Sequence, residues 1–272
     1  MFKRFFTIAA VALLFAGTNS CSKKEIIENQ GIDQSVLDRV QTLGFSPEGV
    51  VETDGGYLVE GDIFLSYDDL NKPANFSSLL VGDEEQYHTT NLVTGLPRNI
   101  TVYIKTSGGQ ALPASYGTAL DEMISRYNAE NLSITFTRVS TAAAGDIDIT
   151  KGTGNFLASS GFPTSSGNPY SSVKVNSNAI GNGTSTAFIN YVATILAHEV
   201  GHCIGFRHTD YMSRQYSCGG SPYNEGSAGV GAIHIPGTPT GPDPNSWMLS
   251  CIGSGVNRPF NSNDKIALDY LY

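Results

Sequence analysis

Residues 198–208 read HEVGHCIGFRH, and this stretch constrains the fold more than any other. It ends a longer run, TAFINYVATILAHEVGHCIGF, whose C-terminal half is surrounded by apolar residues. Such a run predicts a long helix buried in a core. His198 and His202, four apart, then project from one helical face, one turn above the other. Glu199 stands beside them. Gly205 can take the positive φ that ends a helix and turns the chain back, which gives His208 a route to the same place. Any fold of this chain must bury the helix and still let three imidazoles meet.

That arrangement suits a metal. Two imidazoles at this spacing can share one zinc, and a third leaves one position open. Glu199 is near enough to take a proton from a water at that position without being a ligand. The competing reading is a buried helix with satisfied histidines. Five fixed positions would coincide by chance in roughly one chain in a hundred thousand of this composition, so the metal reading prevails. Asp210 is a candidate acceptor supporting the His208 region, with a simple turn aspartate as an equal alternative. His88 and His234 are single histidines in loop-like sequence, and Arg207 reads as structural or as a surface charge.

Around the motif, NITVYIKT alternates as a strand, with Ile100, Val102 and Ile104 on one face. LPASYGTALDEMISRYNAEN reads as a helix carrying Tyr116, Leu120, Met123 and Tyr127 on one side. LSITFTRV and GDIDIT are further strands, SSVKVNSNAI an edge strand, and 152–170 loop. NSNDKIALDYLY closes the chain as a helix that Asn261 or Ser262 can cap. Upstream, VVETDGGYLVEGDIFLSYDDL suggests two strands around DGG.

The N-terminus points to export. Lys3 and Arg4 precede an apolar run too short to span a bilayer comfortably but suited to a signal peptide. Cys21 follows, as in a bacterial lipoprotein signal, with an ordinary secretory signal as the alternative. Cys203, Cys218 and Cys251 would then share an oxidising compartment, and Cys218 with Cys251 is the favoured disulfide. With a formal net charge of −9, nucleic acid is not an expected partner. The membrane would be met only through a lipid on Cys21. The expected divisions are a signal peptide (1–20), a tether with a turn or two of helix (21–45), a strand-rich region or pro-segment (46–95) and a catalytic domain (96–272).

His-Glu-x-x-His-x-x-Gly-x-x-His resembles the metzincin metallopeptidases. HEVGHCIGFRHTD, GAIHIPGTP and NDKIALDYLY together resemble one branch, the dual-action HEIGH metallopeptidases, with Val200 in place of their Ile. The resemblance implies an α+β catalytic domain with a twisted mixed sheet, an active-site helix, a Met-turn and a C-terminal helix. NSWMLS offers Met248 for that turn, and Ser250 stands where some metzincins carry a tyrosine. It further implies one catalytic zinc on His198, His202 and His208, with Glu199 as general base in peptide-bond hydrolysis. Calcium is left open. The substrate would be a protein or peptide lying along the edge strand near 171–180, and a monomer is expected. The rivals are a surface binding lipoprotein with a non-catalytic zinc and an enzyme acting on another carbonyl, such as a deacetylase.

Overall fold

A computed structural model of the chain describes residues 31–71, 86–220, 224–225, 231–239 and 241–272. The signal peptide and Cys21 lie outside the described residues. The N-terminal part comprises α1 (Gln34–Thr42), β1 (Val51–Thr53), β2 (Gly56–Val59), β3 (Ile63–Ser66) and α2 (Tyr67–Asn71). Next come β4 (Tyr87–His88), β5 (Arg98–Ile104), α3 (Ala114–Asn128), β6 (Ile134–Val139), β7 (Ile147–Lys151), β8 (Ala158–Ser159) and β9 (Ser172–Val175). The chain ends with α4 (Ser177–Ile180), α5 (Thr186–Ile204), α6 (Gln215–Cys218), β10 (Ile233–His234) and α7 (Ser262–Leu271). The fold is thus α+β, built on a mixed sheet.

That sheet has the order β6-β5-β7-β9-β8, parallel except for β8, which runs antiparallel to β9. Alternation along β5 buries Ile100, Val102 and Ile104 against α3, whose inner face is Tyr116, Leu120, Met123 and Tyr127. α5 packs in the same core and is buried on every side from Tyr191 onward. This accounts for the absence of an amphipathic pattern in that half of the helix. Asn261 caps α7 from the front, accepting from Asn263 and Asp264 N–H groups while Asp264 reaches back to Asn261 N–H.

Two expectations need correction. The 172–175 strand is not the sheet edge, because β8 covers it. Two residues inside a Gly- and Ser-rich stretch carry too little pattern to be read as a strand. Upstream, DGG lies at the turn of a three-stranded antiparallel sheet, β1-β2-β3, rather than between just two strands.

The stretch expected to be a tether contributes to a core. Leu37, Val40, Leu43 and Phe45 are buried with Val50, Val59, Ile63 and Leu65 in a small cluster separate from the main one. Residues 86–93 side instead with the larger body. Ile235 N–H donates to Gln86 O, β4 pairs with β10, and Val93 is in the main core. Residues 86–93 thus pack with the main body.

Candidate metal centre

α5 begins at Ser185, whose hydroxyl accepts from Phe188 N–H, and stops at Gly205, which has φ +113°. A side chain at Gly205 would be strained by that backbone and would crowd Leu92 and Asn91. Beyond it the chain runs antiparallel to β4. Thr89 N–H donates to Gly205 O, Arg207 N–H to Tyr87 O, and Thr209 N–H to Met248 O. These bonds carry His208 back beneath the helix. Gly201 is required for a second reason, since a Cβ there would lie 2.6 Å from Met248 Sδ. The loop around buried Met248 thus packs directly against α5 between the two helical histidines.

The three Nε2 atoms converge. His198–His202, His202–His208 and His198–His208 separations are 3.1, 3.2 and 3.3 Å. His198 Nδ1 donates to Trp247 O (2.9 Å) and His202 Nδ1 to Phe206 O (2.8 Å). Carbonyl oxygens only accept, so both Nδ1 atoms carry the proton and both Nε2 lone pairs face inward. His208 Nδ1 lies 2.8 and 3.0 Å from the two oxygens of Glu225. A fourth atom joins them. Asp62 Oδ2 is 3.1 Å from His208 Nε2 and 3.5 Å from His198 Nε2.

Lone pairs crowded in this way repel one another unless a cation sits among them. Donors about 2.0–2.1 Å from a tetrahedral zinc stand about 3.3–3.4 Å apart, close to the separations found here. The buried Oδ1 of Asp62 has no hydrogen-bond partner among the described residues, a further sign of a missing counter-charge. Three imidazoles and a carboxylate are a donor set that zinc accepts.

Electrostatics follow from burial and proximity. At His202, burial and the neighbouring His198 and His208 hold the pKa well below the ordinary value. At His208 burial acts the same way, but the Asp62 and Glu225 carboxylates outweigh it and raise the pKa well above that value. Glu199 is pushed well above the usual carboxylate range by burial and then by the charge of Asp62. Ser160, just past β8, donates its hydroxyl to Glu199 Oε2 at 2.7 Å and fixes the carboxylate beside the cluster.

Asp62 arrives on the tip of the β2–β3 hairpin. Glu60 at that tip has φ +54°, uncommon for a non-glycine residue. Its Oε2 accepts from buried Arg207 at 3.1 Å, and its Oε1 from Ser46 N–H. Arg207 also lies over the rings of Phe45 and Tyr211. The hairpin extends the main sheet as well: Ser160 N–H donates to Asp62 O and Phe64 N–H to Ser160 O, in parallel sense.

Other expected residues are placed plainly. Asp210 is not the hydrogen-bond partner of the His208 ring. Its oxygens accept from Ser250 N–H, Ser250 Oγ and Ser217 Oγ, tying the loop after Met248 to α6. The acceptor at His208 is Glu225, which lies 17 residues on in Gly- and Pro-rich sequence. Cys218 and Cys251 form a disulfide beside Ser217, and Cys203 is a buried free thiol. His88 and His234 are outside the cluster, and Arg207 is a buried ion-pair partner. Glu60, Asp62, Ser160 and Glu225 went unrecognised in the sequence, because each reaches the site by long-range packing from a turn or loop.

A search of curated proteins returns no match. The family model described as dual-action HEIGH metallo-peptidase matches residues 57–272, which takes in the hairpin tip, the sheet, α5 and the loop of Met248. With most of its length so matched, and with HEVGHCIGFRH folded around convergent imidazoles, the chain belongs to the dual-action HEIGH metallo-peptidase family and is a metallopeptidase.

Proposed function

We propose that the protein is a zinc endopeptidase of metzincin type, with His198, His202 and His208 as metal ligands, Glu199 as general base and Met248 as the floor of the site. The observation that carries this reading is the convergence of three Nε2 atoms beside a carboxylate that is not among them. Zinc held there would supply Lewis acidity toward the scissile carbonyl. Glu199 takes a proton from the attacking water and passes it to the leaving amine. Its raised pKa, caused by burial and then by Asp62, suits a group that must hold that proton between the two steps. The peptide lies along β8, the sheet edge beside Glu199, and uses the backbone groups that the hairpin tip now occupies.

Glu199→Gln should lower peptide cleavage by about 10²–10⁴-fold, the range expected for a lost proton-transfer group. Zinc content, measured by atomic absorption, should stay unchanged. Equal product from wild type and variant, with zinc retained in both, would overturn the peptidase reading and leave the binding-lipoprotein alternative.

The small N-terminal unit supports a pro-segment reading for the region ahead of residue 86. It places a carboxylate among the histidines and a strand on the edge that substrate needs. We also infer an exported protein anchored by lipid at Cys21, supported by the leader pattern and by the Cys218–Cys251 disulfide. Fatty-acid labelling that persists in Cys21→Ser would remove the anchor.

A further inference from the structure

A cavity of about 260 Å³ opens beside His198 and Glu199, between β8, α5 and the loop that follows Met248. Its walls are mostly apolar, with Leu157, Ile195, Leu249 and Ile252 among them, yet two arginines also line it. Arg214 is already neutralised, with Nε 3.1 Å from Glu225 Oε1. Arg258 is not. Its backbone N–H donates to Thr194 Oγ1 and its Nη1 to Cys251 O, which fixes the side chain at its root and on one nitrogen. A guanidinium offers five donors in a planar fork, so most of this one remains available.

No carboxylate lies within ion-pair distance of Arg258 among the described residues. The acids whose charge it feels are Asp210 and Asp264, and both are already engaged. Asp210 accepts from Ser250 and Ser217, and Asp264 from Gln86, Trp247 and Asn261. Burial accordingly lowers the pKa of Arg258. Arg258 is only half-buried, but its guanidinium faces the cavity without a carboxylate, and a bidentate carboxylate is the partner that matches its geometry.

We propose that Arg258 is a specificity-determining residue, which selects substrates presenting a carboxylate at one fixed position flanking the scissile bond. This rests on the peptidase reading of the neighbouring site. Two sources share the chemistry: an internal Asp or Glu side chain, or the free C-terminus of a short peptide. A peptide paired with β8 passes the mouth of the cavity, so the side chain next to the cleaved bond is the one that can enter it.

The test uses the zinc-loaded protein on a peptide library, with cleavage sites read by mass spectrometry. Asp or Glu should be enriched at least about tenfold over Leu at one flanking position. Arg258→Met should shift that position to apolar residues, while Arg258→Lys keeps the acidic preference in weakened form. Peptides ending in a free carboxylate or in an amide separate the two sources. A second measurement needs no turnover: competition between succinic monohydroxamate and butyrohydroxamate for the zinc-loaded protein. Wild type should favour the carboxylate-bearing ligand about tenfold or more, and Arg258→Met should lose that preference. Equal binding of the two by wild type overturns the proposal whether or not any peptide is cut. Absence of all cleavage alongside a retained hydroxamate preference would instead count against the peptidase reading alone.

Discussion

Glu225 does for His208 what backbone carbonyls do for His198 and His202: it holds the ring by Nδ1 and leaves Nε2 facing the cluster. The difference is charge. Glu225 is buried, which alone would raise its pKa, but His208, Arg214 and Arg207 outweigh burial and keep it low. A charged acceptor makes the imidazole a stronger donor to a metal than a carbonyl does. Glu225→Gln should therefore weaken zinc binding by about 10–100-fold, measured by competition with a chromogenic chelator. An unchanged zinc affinity would show that hydrogen bonding, without the charge, is sufficient. The histidines and Glu199 are legible because their spacing is local and helical. Glu225 is not, since its position depends on how a glycine- and proline-rich excursion folds back. The two readings left open for Asp210 have the same origin: it is near His208 in sequence, but its turn points the carboxylate toward Ser250 and Ser217.

Periodicity made β5, α3, β6, β7 and α7 readable from the sequence, and an apolar run on every side did the same for α5. β8 was not readable, and it is the element that the proposed substrate path uses. Its two residues owe their strand character to β9 on one side and the hairpin tip on the other, and neither neighbour is local. α7 shows a different limit. Its cap was visible in NSND, but the capping box and the burial of Asp264 were not. That carboxyl accepts from Gln86 Nε2 and from the N–H groups of Trp247 and Asn261, so it clamps α7 to the loop before Met248 and to β4. Burial nevertheless outweighs these bonds and raises its pKa to about 6. The folded state thus favours the protonated form. The stability this confers is complete below about pH 3.9, the unfolded value, and is lost as pH rises through about 6. Denaturant titrations between those limits should show stability falling by up to about 1.4 kcal/mol per pH unit from this group. Asp264→Asn should remove that slope, whatever its effect on absolute stability. A slope that persists in the variant would assign the titration to another group.

At the scale of the molecule, the described residues form two large hydrophobic bodies and one small cluster, and the N-terminal body reaches the main one at the candidate metal centre. Asp62 meets the histidines, Glu60 pairs with Arg207, and Phe64 N–H donates an edge hydrogen bond to Ser160 O. If this is latency, the uncut chain should cleave peptides at least about tenfold more slowly than a form cut between the two bodies. Asp62→Ala should recover activity without the cut. The absorption spectrum of cobalt-substituted protein should change in parallel, as a carboxylate ligand is lost. Equal activity of cut and uncut wild type would sink the idea.

Covalent linkage sets how firmly such a latch holds. While the hairpin belongs to the same chain, it acts as a ligand at an effective concentration of order millimolar, so even modest contacts keep the site filled. One backbone cut leaves every contact in place but exposes the fragment to dilution. At low enzyme concentration, the fragment then drifts away and does not return. The hairpin need not bind tightly to act as a one-way switch.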